Sequence, residues 1–161
     1  MKKFSIFFVI IFLTVIPRFV QSQGNWFWQN PSACGWGVNA SCFVNSNTGW
    51  IVSFAGTVMK TTNGGINFVD QITTFDGTFL GVKFFDANTG YVFGAGGEFH
   101  KTTNGGTNWV KISNTIGQYL SDSHFFDVNT GWICGYNGTL VKTTNGGVNW
   151  ISSTSGVTSQ L

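Results

Sequence analysis

The side chains best suited to acid–base, nucleophilic or metal chemistry are few in this 161-residue sequence: six carboxylates, two histidines and three cysteines. A glycosidase needs two carboxylates at a set separation. Asp70, Asp76, Glu98 and Asp122 are spaced without pattern and nominate no pair. Asp86 and Asp127 each stand two residues before an Asn-Thr-Gly, and Asn45 holds the same place before a third. A carboxylate is therefore not required there, and the position reads as a turn. Recognition of an acidic sugar calls for clustered arginines, whereas the only arginine is Arg18. His100 and His124 lack metal-ligand spacing, and no serine sits in a nucleophile context. The sequence thus predicts no catalytic residue, no metal and no cofactor.

The first 22 residues are of another composition. Lys2 and Lys3 precede a run from Phe4 to Ile16 that is apolar except for Ser5 and Thr14, and Val20-Gln21-Ser22 offers a cleavage site. This pattern predicts a signal peptide. The run is shorter than the ~20 residues that span a bilayer, and Pro17-Arg18 interrupts it, so no membrane span is expected after cleavage. The expected location is secreted, periplasmic or at the cell surface. Beyond residue 22, five lysines face six acids with no arginine, leaving a net charge of −1 and no basic footprint for nucleic acid. Export permits disulfides. Cys34 and Cys42 lie eight apart in a Gly-rich loop and could pair; Cys134, in Trp132-Ile133-Cys134-Gly135, reads as a buried free thiol.

The elements that position these groups follow from a repeat. Lys60-Thr61-Thr62-Asn63-Gly64-Gly65 recurs at Lys101 to Gly106 and at Lys142 to Gly147, an offset of 41 both times. Asn47-Thr48-Gly49-Trp50 keeps the same offset at Asn88 to Tyr91 and at Asn129 to Trp132. Each copy predicts four strands. The first ends in an aromatic pair such as Phe84-Phe85 or Phe125-Phe126. The second runs through Trp50 to Ser53, Tyr91 to Gly94 or Trp132 to Gly135. The third covers Thr57 to Thr62, Glu98 to Thr103 or Thr139 to Thr144. Asn-Gly-Gly then reverses the chain, and the fourth strand opens at Asn67-Phe68, Asn108-Trp109 or Asn149-Trp150. Four short antiparallel strands every ~40 residues is the arithmetic of a β-propeller blade.

The reversal Thr102-x-Asn104-x-Gly106-x-Asn108-Trp109 resembles the Asp-box (BNR) motif, with Thr for Ser and Asn for Asp. Thr143, Asn145, Gly147 and Trp150 repeat it, as do Thr61, Asn63, Gly65 and Phe68, with Phe for Trp. The three copies are most similar to the Ycf48-type repeats of the photosystem II assembly factor and of many exported bacterial propellers. The resemblance covers about residues 41–155 and implies structural duties for the motif. Asn accepts backbone N–H groups, paired Gly supplies positive φ, and the aromatic packs over the turn.

The expected organisation is a signal peptide at 1–22, an orphan strand and Gly-rich loop at 23–40, and three blades at about 41–78, 79–119 and 120–161. Gly24-Asn25-Trp26 resembles the start of a fourth strand. Three blades fall short of the 4–8 that usually close a ring. The expectation is an incomplete, all-β propeller, either a fragment or a chain that closes by self-association through its open end blades.

The expected function is a non-catalytic module for protein binding, scaffolding or assembly, with carbohydrate a further possible ligand. Trp36, Phe75, Phe79 and Tyr119, in or beside the non-repeating segments, are candidates for exposed contact aromatics, with ordinary packing as the competing reading. The alternative is a fragment of an Asp-box glycoside hydrolase, sialidase- or glucanase-like, whose catalytic residues lie outside this chain. A photosystem role rests on the family resemblance alone.

Overall fold

A computed structural model describes residues 37–72, 77–112 and 116–158. They form three four-stranded antiparallel sheets, each in sequence order. The first holds β1 (Val38–Phe43), β2 (Gly49–Ser53), β3 (Val58–Thr61) and β4 (Val69–Ile72). The second holds β5 (Phe79–Phe84), β6 (Gly90–Gly94), β7 (Phe99–Thr102) and β8 (Val110–Lys111). The third holds β9 (Leu120–Phe125), β10 (Gly131–Gly135), β11 (Leu140–Thr143) and β12 (Ile151–Ser152). The sheets pack face to face as blades, with β1 beside β5 and β5 beside β9, so the first strand of each blade is innermost. The sheets do not close into a ring, and the architecture is an incomplete β-propeller.

Burial along the second strands shows how the blades stack. Every residue of β2 and β6 is buried, whereas β10 alternates buried and half-buried. A strand covered on both faces reads as an unbroken apolar run; a strand covered on one face regains the two-residue period. Trp132 and Cys134 therefore lie on an uncovered face of the third blade. Cys134 is half-buried, not buried as expected, because no further sheet among the described residues packs over that face.

The Asn-Thr-Gly glycines have a packing reason. Gly49, Gly90 and Gly131 stand directly opposite Phe43, Phe84 and Phe125 across the first strand pair. The phenyl ring lies over the glycine, and a Cβ on Gly90 would meet the Phe84 ring at 2.5 Å.

The fourth strands begin at Val69, Val110 and Ile151, one residue after the aromatic expected to open them. Trp109 and Trp150 turn inward instead, edge-on to Phe84 and Phe99, and leave the ladder to the next residue. Phe79 is fully buried, in keeping with ordinary packing. The segment 1–36, with its cleavage site, orphan strand, Cys34 and Trp36, lies outside the described residues, as does Phe75. So does the proposed pairing of Cys34; Cys42 Sγ accepts the Phe84 N–H at 3.3 Å.

Candidate binding surface

Antiparallel strands put two kinds of loop at opposite ends of each blade. One end carries the Asn-Thr-Gly turns and the Thr-x-Asn-Gly-Gly reversals, tied together by backbone bonds such as Gly64 N–H to Asn47 O at 2.9 Å. The other end carries the bends after the second strands and the residues that lead into β5 and β9, joined by bonds such as Ala95 N–H to Thr78 O at 2.9 Å.

The first end is saturated with local bonds. Thr61 Oγ1 donates to Asn63 Oδ1 at 3.0 Å and accepts the Gly65 N–H at 2.9 Å, while Asn63 Oδ1 accepts the Asn67 N–H at 3.0 Å. Thr102, Asn104, Gly106 and Asn108 repeat the set, as do Thr143, Asn145, Gly147 and Asn149. Both glycines of each reversal have positive φ, 68° and 93° at Gly105 and Gly106. Asn45, Asp86 and Asp127 each accept two backbone N–H groups from their turn. The N–H groups of Thr89 and Asn88 hold the Asp86 carboxyl below its usual range. These side chains hold turns.

At both blade boundaries the aromatic of the preceding second strand, Trp50 or Tyr91, meets the next blade at two points. Trp50 stacks on Phe84 with centroids 3.5 Å apart, and its Nε1–H donates to Gly105 O at 3.1 Å. Tyr91 stacks on Phe125 at 5.2 Å, and its hydroxyl bonds to Gly146 O at 2.9 Å and Val128 O at 3.0 Å. The spacings are 34 residues to the phenylalanine and 55 to the glycine in both cases. The lysine opposite each aromatic lies over its ring, Lys60 on Trp50 and Lys101 on Tyr91, at 5.0 and 5.3 Å. Burial pushes the Tyr91 hydroxyl up to about 12, so it remains a donor at neutral pH. The repeat landmarks contain this pairing; the 34-residue offset between the Trp/Tyr and Phe columns is the signal that would have shown it.

Within the second blade, Glu98 binds His100 Nε2 at 2.7 Å and the Lys111 ammonium on β8. Burial raises the Glu98 carboxyl, but the bonds from Lys111 and His100 outweigh it and hold the group below its usual range. His100 also packs edge-on to Phe79. The arrangement pins β7 to β8. Asp122 accepts the N–H of its neighbour Ser123 at 2.7 Å. Among the described residues no three His, Cys, Asp or Glu side chains could share a metal ion, and no helix is long and apolar enough to cross a membrane. A pocket of about 240 Å³ beside Leu140, Trp150 and Ser153 is lined without a titratable group, and is smaller than most ligand sites.

The opposite end is where aromatic surface is presented. Tyr119, on the connection into β9, is half-exposed and packs against the half-exposed Tyr136 with centroids 5.3 Å apart. Tyr136 N–H bonds to Tyr119 O at 3.0 Å, which fixes the pair to the scaffold. Phe54 occupies the corresponding bend of the first blade and is also exposed. Of the four aromatics singled out from sequence, Tyr119 is presented and Phe79 is not. Phe54 and Tyr136 were missed; each follows an apolar strand and precedes its bend, which is the available signal.

No protein-family model and no curated protein matches the chain. Solved structures do. YCF48 bound to a D1 peptide superposes with a TM-score of 0.65 and 22% identity over 73% of this chain and 40% of that one. The fold is YCF48-like. YCF48 from Cyanidioschyzon merolae gives 0.64 and 23% over 73% and 39%. The GH74 enzyme of Niastella koreensis gives 0.54 and 16% over 72% of this chain and 22% of that enzyme. An ancestral GH74 enzyme gives 0.56 and 21% over 70% and 18%. The chain thus spans about two fifths of the YCF48 structures and about a fifth of the GH74 enzymes.

Proposed function

We propose that this chain is an exported, non-catalytic propeller module for protein binding and assembly, and that it engages an extended protein segment at the end bearing Phe54, Tyr119 and Tyr136. The carrying observation is the Tyr119–Tyr136 pair, exposed aromatic surface held on a hydrogen-bonded scaffold beside a non-repeating connection. Tyrosines fixed in this way supply contact area at low entropic cost, and loops on a rigid scaffold are where binding residues concentrate. The fold shared with a YCF48 structure that holds a peptide supports the same reading.

The glycosidase-fragment reading has less support. Of the five described acids, Asp86 and Asp127 cap turns, Glu98 is paired within its blade, Asp122 accepts its neighbour's N–H, and Asp70 stands exposed on β4.

A random peptide library panned against the purified full chain tests the binding reading. Enriched peptides should lose at least about tenfold in affinity, about 1.4 kcal/mol, for a Tyr119→Ser/Tyr136→Ser variant that melts like the parent. Peptides indifferent to that change, or no enrichment, would overturn it. Export is tested by N-terminal sequencing of the secreted chain, which should begin near Gln23.

A further inference from the structure

We propose that Asn137, in the bend between β10 and β11, is a site of spontaneous deamidation, while the Asn-Gly pairs of the three reversals are protected by their own turns. Asn-Gly is the dipeptide most open to this reaction, because glycine has no Cβ to shield its backbone nitrogen. The sequence holds four such pairs, Asn63-Gly64, Asn104-Gly105, Asn137-Gly138 and Asn145-Gly146.

The Gly138 nitrogen attacks the Asn137 side-chain carbonyl carbon. A new C–N bond closes a succinimide, the bond to Nδ2 breaks, and ammonia leaves with the proton of the Gly138 N–H. Water then opens the succinimide at one carbonyl or the other, giving aspartate or isoaspartate. Water is the only co-reactant.

Burial does not separate the four pairs, since all four asparagines are exposed. Hydrogen bonding does. Attack requires the side chain to swing onto the next nitrogen, and that nitrogen to give up its proton. In the reversals both groups are tied. Oδ1 of Asn63, Asn104 and Asn145 each accepts a threonine hydroxyl and the backbone N–H four residues on. The N–H groups of Gly64, Gly105 and Gly146 donate to Asn47, Asn88 and Asn129 O at 2.9, 2.8 and 2.9 Å.

Asn137 lacks this set. Among the described residues its side chain makes one bond, from Nδ2 to Gln118 Oε1 at 2.8 Å, on the surface. Its φ is 56°, where the second blade has Gly96. That backbone is unfavourable for an L-residue, so opening the bend relieves it. The product sets a carboxylate, and in isoaspartate an extra backbone carbon, next to Tyr136, whose N–H bond to Tyr119 O positions the aromatic pair. Any effect on peptide binding rests on the reading of that pair given above; the reaction itself does not.

Peptide mapping by mass spectrometry tests this on the full chain, incubated for days in mildly alkaline buffer. Trypsin separates the four pairs, because a lysine lies between each and the next. Conversion at Asn137 should be at least about tenfold faster than at any reversal asparagine, whose bonds must first open. In urea, where the turns are lost, the four rates should fall within about threefold of one another. Asn137→Gly, which suits the positive φ, should remove the acidic species seen by isoelectric focusing. Equal or faster conversion at the reversals of the native chain, an unreactive Asn137, or reversals that stay protected in urea would each overturn the proposal.

Discussion

Trp50 and Phe84 lie face to face across the first blade boundary, 4° from parallel, with Trp109 set edge-on against the same phenyl ring. Phe84 also roofs Gly90, so one side chain joins the blade seam, the Asn-Thr-Gly turn and the Trp109 reversal.

Phe84→Ala should therefore cost about 3–5 kcal/mol, the usual loss for a buried phenylalanine. Urea unfolding should show the midpoint falling with little change in slope. A cost under about 1 kcal/mol would mean that the seam contributes little to stability.

Tyr91→Phe keeps the stack on Phe125 and removes the one hydroxyl proton shared between the buried Gly146 carbonyl and the half-buried Val128 carbonyl, a loss of about 1–3 kcal/mol. The hydroxyl titrates near 10 when unfolded and at about 12 when folded. Its stabilising effect is thus complete below pH 10 and lost as the pH climbs from 10 toward 12. Thermal melting across that range should fall more steeply for the parent than for the variant.

Ala55 has φ 57°, the left-handed conformation that Gly96 occupies at the matching bend of the second blade. An L-residue there costs roughly 1–2 kcal/mol. Ala55→Gly should raise stability by about 0.5–1 kcal/mol after the added entropy of the unfolded chain, read as a rise in melting temperature.

Asn104→Ala removes the acceptor shared by the Thr102 hydroxyl and the Asn108 N–H. The expected loss is about 1–2 kcal/mol. Asn104→Asp should keep the turn, because both partners are donors; hydrogen exchange at the Asn108 amide reports whether it does.

The repeat made the blades legible. An offset of 41 with no insertion fixes which residues are equivalent, and the turn chemistry of Asn63, Asn104 and Asn145 is local enough to read from the letters. Equivalence does not say which positions face one another. The pairing of Trp50 with Phe84 depends on how one sheet is laid on the next, a rigid-body relation that local composition does not encode. Cys134 shows the same limit: its strand is as apolar as β2, yet whether it is covered depends on a neighbouring sheet and not on its own residues. The fourth strands start late for a related reason, since Trp109 and Trp150 are drawn into the seam before the ladder begins.

The glycine–phenylalanine pairs and the seams obey one rule of distance: no blade-to-blade bond from Trp50 or Tyr91 reaches further than 55 residues along the chain. Unequal crossing-over that inserts or deletes a whole 41-residue unit leaves every such bond in register. A frameshifted or partial unit breaks them at once. Copy number can then drift in whole steps without any retuning of individual contacts, because each seam is written into the unit itself.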